Sequence, residues 1–157
     1  MEAGRASLRG RSPRRRGAEV KAEGGCLCGA VRFAVEGRPL LSIICHCRTC
    51  RRASGAPSVA WLTFECDKFR LLAGRLREFP SSSGVIRSFC EVCGTPVTYS
   101  SEQFRDIVDV TTASLDDPSL YPPTLEAWLE HRLGWEATNS ALAQHPRAGA
   151  EAPGDDA

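Results

Sequence analysis

The chain has 157 residues, of which 42% are hydrophobic and 25% charged, and its formal net charge is +1. Length and composition predict one ordinary globular domain. No apolar run approaches the roughly 18 residues that cross a bilayer, which excludes a helical membrane span. The absence of an apolar secretory segment predicts a cytoplasmic location with reduced thiols.

Charge is distributed unevenly along the chain. Residues 1–16 carry six arginines against one glutamate, and the remainder carries 14 basic and 18 acidic residues. With few apolar residues, 1–21 is predicted to be a disordered basic arm, which is either a solvated tail, an address signal or a nucleic-acid-binding arm. Residues 144–157, rich in Ala, Gly and Pro, are predicted to be a disordered tail. The folded domain is therefore predicted to span 22–143.

Apolar residues alternate with polar ones through most of this domain, a pattern typical of half-buried β-strands. The predicted strands cover residues 31–35, 59–64, 76–79, 85–89, 97–99 and 107–110. Turn residues separate them closely, so a mainly β fold of short strands is expected. Short helical turns are predicted at 50–53 and 118–121, and the pattern leaves 125–133 open between helix and strand.

Seven of the eight cysteines fall into three groups: Cys26 and Cys28; Cys45, Cys47 and Cys50; Cys90 and Cys93. One intervening residue on an extended backbone places both sulfurs on one face, whereas two intervening residues fit a tight knuckle. Neighbouring glycines supply a permissive backbone that lets chain and metal approach closely: Gly24, Gly25, Gly29 and Gly94.

Groups of two, three and two divide into one set of four sulfurs and one of three. A structural zinc site is closed by four protein ligands, and a catalytic site has three and leaves one position open. We therefore expect Cys26, Cys28, Cys90 and Cys93 to form the closed site. Cys45, Cys47 and Cys50 are expected to form the open one.

Cysteines also form disulfides and redox motifs. Disulfides are disfavoured in a reducing compartment, and a thioredoxin-like motif needs a parallel βαβ setting that the strand pattern does not offer. Cys66 is expected to be a small, buried or half-buried apolar residue, and His46 to pack or to orient a ligand rather than bind metal.

Three stretches carry a family resemblance: Gly-Gly-Cys-Leu-Cys-Gly-Ala-Val-Arg-Phe at 24–33, Cys-His-Cys-Arg-Thr-Cys-Arg-Arg-Ala-Ser-Gly-Ala-Pro at 45–57 and Phe-Cys-Glu-Val-Cys-Gly-Thr-Pro-Val at 89–97. In order and spacing they resemble the glutathione-dependent formaldehyde-activating enzyme family, which also includes centromere protein V. The resemblance covers about residues 24–135. It implies several short, coiled antiparallel sheets around a structural zinc held by the first and last cysteine pairs, with a second zinc at the central three.

The resemblance also implies an activity, the condensation of glutathione with formaldehyde, which in reverse is a carbon–sulfur lyase reaction. The central cysteines would then be catalytic, and a small thiol and an aldehyde would be the partners. Four arginines beside the cysteines are candidates for binding the carboxylates of such a thiol: Arg48, Arg51, Arg52 and Arg87. Arginine outnumbers lysine eighteen to two, which indicates a GC-rich genome. Organisms with such genomes include some that use a small thiol other than glutathione, so the identity of the thiol is open.

The last segment departs from the family pattern, since Glu126 stands where family members commonly carry a histidine. Substrate choice is therefore open. Trp128 and Trp135 are expected to be packing residues.

Two other functions remain at this point: a non-catalytic zinc module whose basic arm binds nucleic acid, and a thiol redox or metal sensor. Nucleic acid is not expected as a partner except through the arm, no membrane partner is expected, and a homo-oligomer is left open.

Overall fold

The computed structural model describes residues 21–147. These residues form eleven strands and one α-helix, with these bounds: β1 Lys21–Gly25, β2 Arg32–Glu36, β3 Leu41–Cys45, α1 Arg48–Ser54, β4 Val59–Glu65, β5 Phe69–Ala73, β6 Leu76–Ser82, β7 Val85–Cys90, β8 Pro96–Ser101, β9 Ile107–Thr111, β10 Leu125–Ala127 and β11 Ala143–Gln144. Five short 3-10 helices lie between them: Cys66–Lys68, Glu102–Phe104, Thr112–Ser114, Pro118–Leu120 and Leu129–His131.

The strands form two sheets. One has three strands in the order β1-β2-β5, and the other has eight in the order β11-β10-β3-β4-β9-β8-β7-β6. Neighbours pair antiparallel except β10, which runs parallel to both β3 and β11. The apolar core lies between the sheets because alternate residues of each face inward. Its buried side chains include Phe33 of β2, Leu62 and Phe64 of β4, Val97 of β8 and Val110 of β9.

The prediction of a mainly β fold is confirmed, and each alternating segment is a strand within one to three residues of its predicted bounds. The expectation of several small antiparallel sheets is refined to two sheets, one of them large and partly parallel. β1, β3 and β5 were not predicted as strands. β1 has no large apolar residue, and adjacent apolar residues interrupt the alternation in β3 and β5. Residues 125–133 contain strand β10 followed by a 3-10 helix.

The C-terminal boundary lies later than predicted. Gln144 of β11 pairs with Glu126 of β10, and the Trp128 amide donates to the Arg147 carbonyl at 3.0 Å. Residues 144–147 are thus hydrogen-bonded to the domain, and the rest of the expected tail, like the arm up to residue 20, lies outside the described residues. Residues 21–147 contain no helix with the length and apolarity that a bilayer crossing needs.

Candidate metal centres

The first centre is a cluster of four sulfurs. The Sγ atoms of Cys26, Cys28, Cys90 and Cys93 all lie within 4.8 Å of one another. The Cys26 and Cys28 sulfurs are 3.5 Å apart, and those of Cys28 and Cys90 are 3.8 Å apart. A zinc ion with four tetrahedral Zn–S bonds of about 2.3 Å separates its sulfurs by about 3.8 Å. The donor set therefore fits such an ion.

Both cysteine pairs of this centre lie in turns. Cys90 ends β7, and the Gly94 amide donates to its carbonyl at 2.9 Å, which closes the predicted knuckle. Cys26 and Cys28 were expected on an extended backbone, but Cys28 is in a turn after β1, in which the Gly29 amide donates to the Cys26 carbonyl at 3.0 Å. The sulfurs converge because the chain turns there.

The glycines around this centre have two different functions. Gly29 and Gly94 have φ angles of 77° and 75°, the left-handed conformation that each turn requires. Gly24, by contrast, does not admit a metal, since a Cβ there would lie 2.5 Å from the Phe33 ring. It allows β1 to approach the core.

Hydrogen bonds prepare one sulfur of this centre to be a thiolate. The Thr95 hydroxyl lies 3.2 Å from the Cys93 sulfur, and hydrogen bonds from Thr95 lower the pKa of Cys93 to about 5. A thiolate is the form of cysteine that binds metal.

The second centre is a cluster of three sulfurs, those of Cys45, Cys47 and Cys50, again within 4.8 Å of one another. Cys45 ends β3, Cys47 caps the N-terminus of α1, and Cys50 lies in the first turn of that helix. The Cys50 amide donates to the Cys47 sulfur at 3.2 Å. A helix start places both sulfurs together here, where a knuckle was predicted.

Of the three triad cysteines, Cys47 has the lowest pKa. A hydrogen bond from the Cys45 thiol, reinforced by one from Cys50, lowers the pKa of Cys47 to about 3. The same contact with Cys47 raises the pKa of Cys45. The contact with Cys45 acts to lower the pKa of Cys50, but Cys47 and burial outweigh it and raise that pKa. Three soft donors with a thiolate among them suit zinc and leave one tetrahedral position free.

A cavity of about 1000 Å³ opens beside the triad. Of the clustered cysteines in the described range, Cys50 is the one that lines it. Its apolar wall includes Trp61, Tyr99 and Phe89, and the β6–β7 hairpin contributes Phe79 and serine hydroxyls. The cavity is large enough for a peptide-sized ligand.

The four candidate arginines are placed differently. Arg48, Arg52 and Arg87 line the cavity, and Arg51 does not. The Arg87 guanidinium is stacked over the Tyr99 ring at 4.9 Å, and its Nη2 lies 3.7 Å from the Cys50 sulfur. This cation is thus held next to the one triad sulfur that faces the cavity.

Sequence reasoning missed Asp109 of β9, which lies near this site. Thr63 donates to its carboxylate at 2.5 Å, and burial raises the pKa of Asp109 to about 6, although Thr63 and Arg87 act to lower it. An acidic residue between Val108 and Val110 in a strand was the available signal, because it predicts a carboxylate on the face opposite the core.

His46 is buried, and its Nδ1 lies 3.1 Å from Glu136, a residue not singled out in the sequence. Glu126 is buried too, faces Nε2 of the same ring at 3.9 Å and is absent from the cavity lining. Neither His46 nor Glu126 belongs to a sulfur cluster.

Three further expectations can be compared with the structure. Trp128 packs against the triad, with a left-handed φ of 61°. The expectation that Trp135 packs was wrong, because it is 73% exposed. Cys66 was expected to be buried or half-buried, but it is exposed on the 3-10 helix after β4.

Comparison with known proteins bears on this geometry. The family model described as glutathione-dependent formaldehyde-activating enzyme matches residues 21–131, which contain all seven clustered cysteines. The chain belongs to this family. A crystal structure of a Rhodobacter sphaeroides protein, a structural genomics target, is similar with a TM-score of 0.51 and 24% identity. The likeness covers 60% of this chain and 87% of that one, and it shows the shared fold.

Proposed function

We propose that the protein is a zinc-dependent carbon–sulfur lyase-type enzyme that forms or cleaves the adduct of a small thiol, glutathione or an analogue, with formaldehyde or another small aldehyde. The observation that carries this proposal is the cluster of three sulfurs whose Cys50 faces a cavity with arginine side chains. Family membership supports the reaction class. The cluster of four sulfurs would hold a structural zinc.

The overall reaction balances without a redox partner. The thiol sulfur forms a bond to the aldehyde carbon, the carbonyl π electrons move to oxygen, and the thiol proton ends on that oxygen as a hydroxyl. Zinc held by Cys45, Cys47 and Cys50 would supply a Lewis acid that lowers the pKa of a thiol in its open position.

The residues of the chain have three tasks in this scheme. Arg87, whose Nη2 lies 3.7 Å from the Cys50 sulfur, offsets the negative charge of Cys50 when that sulfur is a metal-bound thiolate. Arg48 and Arg52, on the first two turns of α1, bind the carboxylates of the thiol. The apolar wall around Trp61 and Tyr99 displaces water from the reacting atoms, which strengthens these charge interactions.

The test is the rate of adduct formation between glutathione and formaldehyde, followed by NMR above the spontaneous rate. Cys50→Ser removes the cavity-facing sulfur and is expected to abolish the acceleration. Cys66→Ser is the matched control, since this exposed cysteine lies outside both clusters, and it is expected to retain full activity. Equal acceleration by both variants would refute the proposed function.

Two other outcomes of this assay are informative. No acceleration by the wild-type chain with glutathione or any small thiol tested, while it carries metal at both centres, would favour a binding module over an enzyme. Loss of activity after mild oxidation, with recovery after reduction, would show that the triad also responds to redox state.

A further inference from the structure

The chain segment that carries most of the triad leaves the large sheet and returns to it at one point. β3 and β4 pair antiparallel as far as Cys45 and Val59. Residues 46–58 between them form an excursion that contains α1, Cys47 and Cys50. The distance of these two sulfurs from Cys45 therefore depends on how the two ends of the excursion are held.

One carboxylate contacts both ends. The Ser58 hydroxyl donates to Oε1 of Glu136 at 2.6 Å, and His46 Nδ1 lies 3.1 Å from Oε2 of the same residue. The His46 side chain is 1% exposed and that of Glu136 is 17% exposed. Hydrogen bonds to a carboxylate are stronger than neutral ones, and a site with little water strengthens them further.

The opposite side of the His46 peptide is fixed by β10. The His46 amide donates to the Ala127 carbonyl at 3.0 Å, and Ala127 pairs with Cys45. Glu126 accepts from the Asn139 amide at 3.1 Å, and its other oxygen is 3.9 Å from His46 Nε2, too far for a direct hydrogen bond. Glu136 is thus the carboxylate that directly orients the imidazole.

We propose that Glu136 is a positioning residue that preorganises the cysteine triad: by joining His46 to Ser58, it fixes Cys47 and Cys50 relative to Cys45 at the separation a bound metal ion requires. Glu136 lies beyond the residues that the family model matches, which end at 131. The inference rests on the proposed function in one respect, the assumption that the triad binds a metal ion.

The test is a titration of the reduced, metal-free full chain with Co²⁺, followed by thiolate-to-cobalt charge-transfer absorption. The Cys50→Ser chain supplies the spectrum of the four-cysteine centre alone. Glu136→Gln removes the carboxylate charge that both contacts share, so affinity at the triad is expected to fall, by up to the roughly 10–100-fold lost when a direct partner of a metal ligand is changed. The four-cysteine centre is expected to keep its affinity.

Two further variants make the test specific. Glu130→Gln is the matched control, because Glu130 lies in the same C-terminal segment and pairs with Arg147 instead; its triad affinity is expected to equal that of wild type. The double variant Ser58→Ala with Glu136→Gln changes both partners of one contact. Its triad affinity is expected to equal that of Glu136→Gln alone, because both substitutions break the same join between His46 and Ser58.

The outcomes separate the two proposals. Unchanged triad affinity in Glu136→Gln overturns the positioning role and leaves the proposed function intact. Equal loss at both centres, with a lower melting temperature, also overturns it, because Glu136 would then support only the fold. Binding of a single Co²⁺ by the wild-type chain would overturn both proposals.

Discussion

At the scale of single residues, a cation and a carboxyl group lie near the Cys50 sulfur. Arg87 is held by the Tyr99 ring on one side and faces the Cys50 sulfur on the other. Asp109 lies near the same sulfur, and burial is the main cause of its raised pKa. Close to Cys50 the site thus holds the Arg87 cation and a carboxyl group whose pKa is about 6.

Asp109 predicts a pH dependence of stability. Its pKa of about 6 is above the ordinary value for aspartate, so the ionised carboxylate lowers the free energy of unfolding. This destabilisation is fully present above pH 6 and disappears as pH falls below about 4. In urea unfolding at pH 7–8, the free energy of unfolding of Asp109→Asn is therefore expected to exceed that of wild type by at most about 3 kcal/mol. This difference is expected to shrink through pH 6 towards pH 5. A gain that is constant from pH 5 to 8 would contradict this account.

The position of Arg52 predicts a variant that changes KM for glutathione and leaves kcat nearly constant. Arg52 is exposed, so a carboxylate contact there is worth about 1 kcal/mol, and Arg52→Gln is expected to raise KM for glutathione about fivefold at nearly constant kcat. A thiol without carboxylates is expected to show no change. Arg38→Gln is the control, because Arg38 is exposed and does not line the cavity. An equal KM for glutathione in wild type and Arg52→Gln would remove Arg52 from the binding site.

The candidate site could be predicted from sequence as far as its residues are local. Cysteine pairs with one or two intervening residues indicate a metal site, because short-range geometry is enough to bring their sulfurs together. Asp109, Ser58 and Glu136 carry no such mark, since their contacts join residues that are distant in the chain. Arg51 could not be told from Arg48 and Arg52, because the direction of each side chain depends on how α1 packs.

At the scale of elements, β7 connects the two centres. Its residue Arg87 contacts Cys50, and its last residue, Cys90, belongs to the four-cysteine centre. Strands with alternating residues, such as β2 and β4, were predictable because one face is buried. β3 was not, because it is flanked by β4 and β10 in the sheet and its sequence, Leu-Ser-Ile-Ile-Cys, lacks alternation.

The four-cysteine centre predicts that serine variants of the two centres differ in melting temperature. It joins the turn after β1 to the end of β7, more than sixty residues later, and structural zinc contributes about 10 kcal/mol or more to small domains. Cys90→Ser is expected to lower the melting temperature by more than 10 °C, with loss of the near-ultraviolet circular dichroism signal at 37 °C. Cys50→Ser is expected to shift it by only a few degrees. Similar melting temperatures for the two variants would show that the first centre does not support the fold.

At the scale of the whole molecule, the two centres differ in what surrounds them. Four sulfurs surround the first from two turns, which leaves no position for a substrate. Three sulfurs form the second at the edge of a large cavity, and the contact between His46 and Glu136 lies outside the lining of that cavity. Under the proposed function, the first centre would support structure and the second would support chemistry.

The most direct measurement is zinc content per chain, in protein purified under reducing conditions, before and after incubation with excess glutathione. The account predicts about two zinc ions, one retained throughout and one whose binding changes when the thiol is added. Cys50→Ser is expected to hold one zinc that the thiol does not affect. A single, tightly held zinc in the wild-type chain, unchanged by glutathione, would contradict the central claim that the triad is an open metal centre.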